Sequence, residues 1–311
     1  MQAKPPLATG LLLAVLGAVA FSGKAIIVKL AYRHGVDAIT LLMLRMLLAL
    51  PFFLAMVWWT GRPKNGVAAL ALTRKDWLGV VWLGLTGYYL ASFLDFAGLA
   101  YISASFERLV LYLNPTLVLI LGAVLYRKRI SAFQWLGLAI SYGGVLLVFG
   151  HEVRLTGEHV WLGAGLVFSS AVSYALYLSY SGEMVRRFGA LRLVGLASCV
   201  ACGFCIAQFL LMRPLENLLT LAPQVLVLSL VNATACTVVP VVLVMMAIER
   251  LGSGLAAQVG MVGPMSTLAM AALVLDEPLT PWVLGGTVLV MGGVFVCTRS
   301  QALPVDIEAK G

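Results

Sequence analysis

Ten apolar stretches of about twenty residues follow one another along this chain of 311 residues, each long enough to cross a bilayer at about 1.5 Å of helix rise per residue. Inside lipid every backbone amide must find its partner within the protein, so only helices or a closed barrel can span. Barrel strands would show roughly ten-residue segments of alternating polarity, whereas these runs are apolar throughout and predict helices. The expected spans are 7–30, 37–59, 77–100, 103–126, 133–149, 160–180, 191–212, 225–248, 252–275 and 282–298. Composition agrees: 11% of residues are charged, against roughly 25% in a soluble domain. The predicted fold class is an all-α integral membrane protein with ten transmembrane helices.

The N-terminus, with Lys4 before an apolar run and Ala18-Val19-Ala20 as a cleavage-like site, imitates a signal peptide. Its run continues to Leu30 and matches the later spans, so it reads as a first helix. A net charge of +8 would suggest nucleic acid in a soluble protein. Here most basic residues sit between spans and report topology, and no nucleic-acid partner is expected. With a cytoplasmic N-terminus, fourteen basic residues fall in inside segments, against Lys29, Arg33, Arg154 and Arg213 outside. Both termini are therefore expected inside.

The chain repeats. A shift of 149 positions lays Asn114-Pro115 on Gly263-Pro264, Gly137 on Gly286, and Gly143-Gly144 on Gly292-Gly293. It also lays Lys128 on Glu277. The division is residues 1–150 and 151–298 as two five-helix repeats, with 299–311 as a polar cytoplasmic tail. Five spans per repeat is odd, so the repeats run in opposite senses across the membrane. Inverted repeats of this kind mark secondary transporters, with solute bound near the midplane.

Charges inside spans are expensive in lipid and mark working positions. Five occur: Lys24, Arg45, Asp95, Glu107 and Arg108, all in the first repeat and all in its outer half. The second repeat offers neutral Gln208, Asn232 and Gln258. One reading has Asp95 or Glu107 meeting a cationic group or a proton, while Lys24 or Arg108 meets a carboxylate or phosphate. The other has a salt-bridge network locking the first, third and fourth helices, with Lys24 free to snorkel outward. Arg45, on a peripheral helix, reads as a structural charge pinning a neighbour. Pro115 and Pro264 each break a helix and are candidate hinges. Tyr112 and Tyr177 are candidate cavity residues, each offering a ring face and a hydroxyl. The glycine pairs read as close-packing devices.

No catalytic or metal site is expected. Cys199, Cys202 and Cys205 lie about one face of one apolar helix with no carboxylate or histidine nearby in sequence, and read as packing. His34, His151 and His159 lack ligand spacing. There is no phosphate-binding loop, so no ATP hydrolysis and no cofactor is expected.

The motifs Phe21-Ser22-Gly23, Lys29-Leu30-Ala31 and Leu44-Arg45-Met46, with a mid-helix proline, polar turn and Gly-Gly pair in each repeat, make the chain resemble the EamA-type drug/metabolite transporter superfamily. The resemblance covers nearly the whole chain. It implies a bacterial inner-membrane exporter of a small polar or amphipathic metabolite, amino-acid-like or drug-like, working by alternating access as a monomer or homodimer. It also implies that helices 1, 3, 4, 6, 8 and 9 line a central cavity. Coupling to protons or another ion is suggested by Asp95 and Glu107. The family often carries a glutamate in the turn after each proline helix; Glu277 supplies the second, but Lys128 replaces the first. Both positions look like turn and helix-capping sites. The alternative from another class is a non-transporting membrane scaffold or sensor subunit.

Overall fold

A computed structural model describes residues 7–63, 70–127, 130–156, 159–251, 255–256 and 259–302. Among the described residues all regular structure is helical. The helices are α1 (Leu7–Tyr32), α2 (Ala38–Thr60), α3 (Arg74–Leu99), α4 (Ala104–Leu125), α5 (Ala132–Thr156), α6 (Val160–Phe188), α7 (Ala190–Met212), α8 (Pro223–Ile248), α9 (Val262–Leu275) and α10 (Pro281–Ala302). All but α9 are individually long and apolar enough to span. The expected ninth span starts at 252, and residues 252–254 and 257–258 lie outside the described set. So do Lys4, Lys128, Gln258 and residues 303–311 of the expected tail.

The helices alternate in direction, giving the bundle two faces. Gly10 meets Leu251, and Arg187 meets Asp76, on the face of the described chain ends. On the other face the Arg33 guanidinium donates to the Leu275 carbonyl at 3.0 Å, and Asp37 faces Arg213 at 3.3 Å. Asp37 starts α2, accepting from the Ile39 and Thr40 amides and the Thr40 hydroxyl. Burial alone would raise the Asp37 carboxyl, but the Thr40 hydrogen bonds and Arg213 hold it below its ordinary value.

Two helices overrun their expected ends. α6 continues past 180 to Phe188 because Arg187 reaches across to Asp76 at 2.7 Å, the residue that completes a capping box with Thr73 on α3. α5 continues past 149 to Thr156, and its added turn carries Glu152, which accepts the Ser103 hydroxyl at 2.5 Å.

Several local features recur at the 149-residue shift. The helical ladder widens to π-type bonding over Gly84–Leu90 in α3 and over Thr234–Val238 in α8. The released carbonyls find partners: Ser173 and Ser170 of α6 donate to the Thr86 and Ala91 carbonyls, and Thr237 donates to the Asn232 carbonyl. Arg127 and Asp276 both end their helices with left-handed backbone, φ 52° and 59°. α4 is interrupted at Tyr112 and Leu113, immediately before Asn114-Pro115. α9 begins after a turn at Gly260 and Met261, immediately before Gly263-Pro264. Pro115 opens a helical segment, where its missing N–H costs little, and the Asn114 side-chain amide donates to the Leu111 carbonyl at 2.6 Å.

α5 and α10 cross through glycine. A Cβ on Gly137 would lie 2.7 Å from the Gly293 carbonyl, and one on Gly144 would lie 2.8 Å from that of Gly286. Because Gly137 matches Gly286 and Gly144 matches Gly293, these are one contact seen from each repeat. Only one glycine of each expected pair takes part; a Cβ on Gly143 or Gly292 would meet nothing within 4 Å. Replacing Gly144 by Leu should therefore force α5 and α10 apart at a cost of about 1–3 kcal/mol. Gly143→Leu, its neighbour, should leave the thermal midpoint in detergent unchanged. Equal midpoints for the two variants would contradict this packing.

Candidate functional site

Three helices bring four charges together. Lys24 of α1 forms an ion pair with Asp95 of α3 at 2.5 Å, and its ammonium also lies 3.5 Å from Glu107 of α4. Lys24 is 8% exposed, Asp95 2% and Glu107 0%, so Lys24 turns inward rather than snorkelling to the interface. Arg108, next to Glu107 in sequence, points elsewhere: its guanidinium reaches the Ser22 hydroxyl at 3.4 Å and lies over the Phe21 ring at 6.0 Å. Ser22 in turn donates to the Ala18 carbonyl and to the Gly263 carbonyl, both at 2.8 Å. A Cβ on Gly263 would stand 2.7 Å from an Arg108 terminal nitrogen. The glycine before Pro264 thus makes room for the arginine.

The start of α4 is held firmly enough to aim these residues. Ser103 caps it, accepting from the Phe106 amide at 3.1 Å. Glu277, from the turn after α9, accepts from the Ala104 amide at 2.7 Å, the Ser105 amide at 3.1 Å and the Ser105 hydroxyl at 2.7 Å. A carboxylate at a helix N-terminus is favoured by both the free N–H groups and the helix dipole. Glu277 is therefore a capping residue for a helix distant in sequence.

The four charges satisfy one another only in part. Asp95 Oδ1, both Glu107 carboxylate oxygens and Arg108 Nε are buried without a hydrogen-bond partner among the described residues. Buried polar groups are almost always paired, and each one left open costs about 1–3 kcal/mol. A site that receives donors and acceptors from a solute, a proton or water would keep such groups open.

The remaining candidates lie around this cluster. Arg45 donates to the Thr237 hydroxyl at 3.1 Å and lies over the Phe96 ring at 5.2 Å, joining α2 to α8 and α3. Asn232, on the widened side of α8, is fully buried with its amide unpartnered among the described residues. Tyr112 stands at the interruption of α4, one turn below Arg108. Tyr177 is not brought to the charges. Its hydroxyl lies 3.1 Å from that of Tyr88, its ring stacks on Tyr174 at 5.4 Å, and it packs against Gly87. Tyr88 is seven residues from Asp95 along α3, about 10 Å of rise.

A cavity of about 640 Å³ opens on the face away from the described chain ends. Lys29 of α1, Arg33 of the turn after it, Ser105 of α4, Glu152 of α5 and Glu277 are among the residues at its walls. Sequence reasoning missed the part taken by α5. It also missed the Ser22–Gly263 anchor, although each residue stands in one of the motifs noted in the sequence. Among the described residues no group of three histidines, cysteines or carboxylates could hold a metal. The Cys202 thiol donates to the Met46 carbonyl at 3.2 Å, a packing contact between α7 and α2.

The model of the EamA-like transporter family matches residues 8–150 and again residues 161–299. A Bacillus subtilis protein described as the uncharacterized transporter YcbK is 30% identical over 294 residues, covering 93% of this chain and 91% of its own. A Salmonella typhimurium protein described as a probable amino-acid metabolite efflux pump is 26% identical over 209 residues, covering 62% of this chain and 67% of its own. A solved structure shares the fold with a TM-score of 0.63 at 16% identity, over 94% of this chain and 97% of that one.

The cluster geometry makes a stability prediction. Lys24→Met strands Asp95 and Glu107 without their shared cation and should cost about 3–5 kcal/mol. Adding Asp95→Asn should recover a large part of that loss. Thermal midpoints of the purified single and double variants measure it; a double variant less stable than the Lys24→Met single would contradict the pairing.

Proposed function

The chain belongs to the EamA-like transporter family, and from that premise we propose that it exports a small polar or amphipathic metabolite by alternating access across a bacterial inner membrane. It is a multi-pass membrane transporter of small solutes and not an enzyme. The observation that carries the finer reading is the open valence of Asp95, Glu107 and Arg108 in a buried cluster. Asp95 and Glu107 present acceptors, and Arg108 a donor, where a solute bearing both kinds of group could be held. The amino-acid metabolite named for the Salmonella relative is a solute of that description.

The working unit is two inverted repeats, 1–150 and 151–298. The recurrent π-type segments, left-handed helix ends, interrupted proline helices and glycine crossing favour this division. Pro115 and Pro264 then mark equivalent bends about which the halves of α4 and α9 move. Basic residues concentrated on one side favour cytoplasmic termini, with 299–311 as a cytoplasmic tail. On this orientation the cavity faces outward. Two carboxylates sharing one ammonium make Asp95 and Glu107 the candidate carriers of a coupling proton or other ion, in a monomer or a homodimer.

The test is metabolite release by cells overproducing the protein, compared with cells making Asp95→Asn or Glu107→Gln at equal membrane abundance. Wild-type protein should raise one or more external metabolites, and each variant should lower that gain about tenfold or more, the cost of roughly 1.4 kcal/mol. Full activity in both variants would remove the cluster from the mechanism. Unchanged metabolite profiles with wild-type protein would favour a scaffold or sensor role.

A further inference from the structure

The outward cavity has a chemistry of its own. Its two carboxylates have acceptor capacity already engaged: Glu277 takes three donors from the first turn of α4, and Glu152 takes the Ser103 hydroxyl. Its two cations make fewer hydrogen bonds, although Glu277 and Glu152 both lie within electrostatic reach of Lys29. Arg33 donates to the Leu275 carbonyl through one nitrogen, and the Lys29 ammonium makes no hydrogen bond or close ion pair with any described residue. Arg33 stands in the turn after α1, its amide still bonded to the Lys29 carbonyl at 3.3 Å, so the two heads, four residues apart, emerge on the same side. Ala100 and the exposed ring of Tyr101 add apolar surface to the same cavity. Cationic donors, apolar lining, and a volume of about 640 Å³ within the ordinary range of small-molecule sites define the ligand class.

We propose that this cavity is a binding site for a small amphipathic carboxylate, distinct from the buried cluster. The carboxylate meets Lys29 and the remaining nitrogens of Arg33, and the apolar end lies against Tyr101 and Ala100. The site stands above the cluster rather than within it. Lys29 is five residues from Lys24 on α1, about 7.5 Å of rise, and Ser105 at the wall is two residues from Glu107. A solute leaving the cluster by this route would be held once more before release. A carboxylate ligand competes with Glu277 and Glu152 for Lys29, but the oxygens of Glu277 are engaged at the N-terminus of α4 and Glu152 holds the Ser103 hydroxyl.

Two probes with the same ring and opposite charge test the site: 3-phenylpropionate and phenethylamine. Each is titrated calorimetrically into full-length protein in detergent, against micelle blanks. 3-Phenylpropionate should bind and phenethylamine should not. Lys29→Met should weaken binding about tenfold or more, equivalent to roughly 1.4 kcal/mol, and Lys29→Arg should retain it. Asp95→Asn should leave it unchanged. Should Lys29→Met not survive purification, Ala100→Trp at the cavity rim should abolish binding instead. Absence of 3-phenylpropionate binding, equal binding of the amine, or equal loss in Asp95→Asn would overturn the proposal. Because the readout is binding, the result stands apart from whether the cells export anything.

Discussion

The ammonium of Lys24 joins α1, α3 and α4. Asp95 and Glu107 approach α1 from two different helices and reach the same nitrogen. Removing charges from water costs several kcal/mol per ion, and the cost is recovered only where each finds a partner. The pairing therefore dictates which faces of α1, α3 and α4 turn inward. It also dictates where Arg108 goes, since the one ammonium is already shared and the arginine must find its contacts on the Ser22 and Gly263 side.

This arrangement is asymmetric in a chain whose scaffold nearly repeats. The π-type segments, helix ends and glycine crossing recur at one shift along the chain. The charges do not. The later half of the chain supplies uncharged partners to cations of the earlier half: the Gly263 carbonyl through Ser22, and the Thr237 hydroxyl to Arg45. The recurring backbone features lie in both halves of the chain, while the charged cluster is confined to α1, α3 and α4. Glu277 links the two, since a turn of the second repeat caps the helix that carries Glu107 and Arg108.

The helical class, the ten-span pattern and the four clustered charges are legible in the sequence, because long apolar runs and isolated charges within them are physically costly to arrange any other way. The capping character of the Glu277 turn is legible too. The facing of each helix is not. Lipid is as apolar as a protein core, so these helices carry no sharp stripe to say which side is inside. That is why Gly143 and Gly144 are equivalent by sequence although only Gly144 touches α10. It is also why the contacts of Tyr177 with Tyr88 and Gly87 are not legible in the sequence. The overrun of α6 depends on one long-range pair, Arg187 with Asp76, which no local pattern announces.

The central claim is that Glu107 and Asp95 contact the transported solute. Carboxylates buried in a membrane react with the hydrophobic reagent dicyclohexylcarbodiimide, and the modified peptide can be identified by mass. The most direct measurement is the rate at which Glu107 is modified in membranes, with and without a saturating concentration of the solute that the cells release. The account predicts that the solute slows modification of Glu107 severalfold and leaves Glu216, on the surface turn after α7, unaffected. A modification rate for Glu107 that no exported solute changes would contradict it.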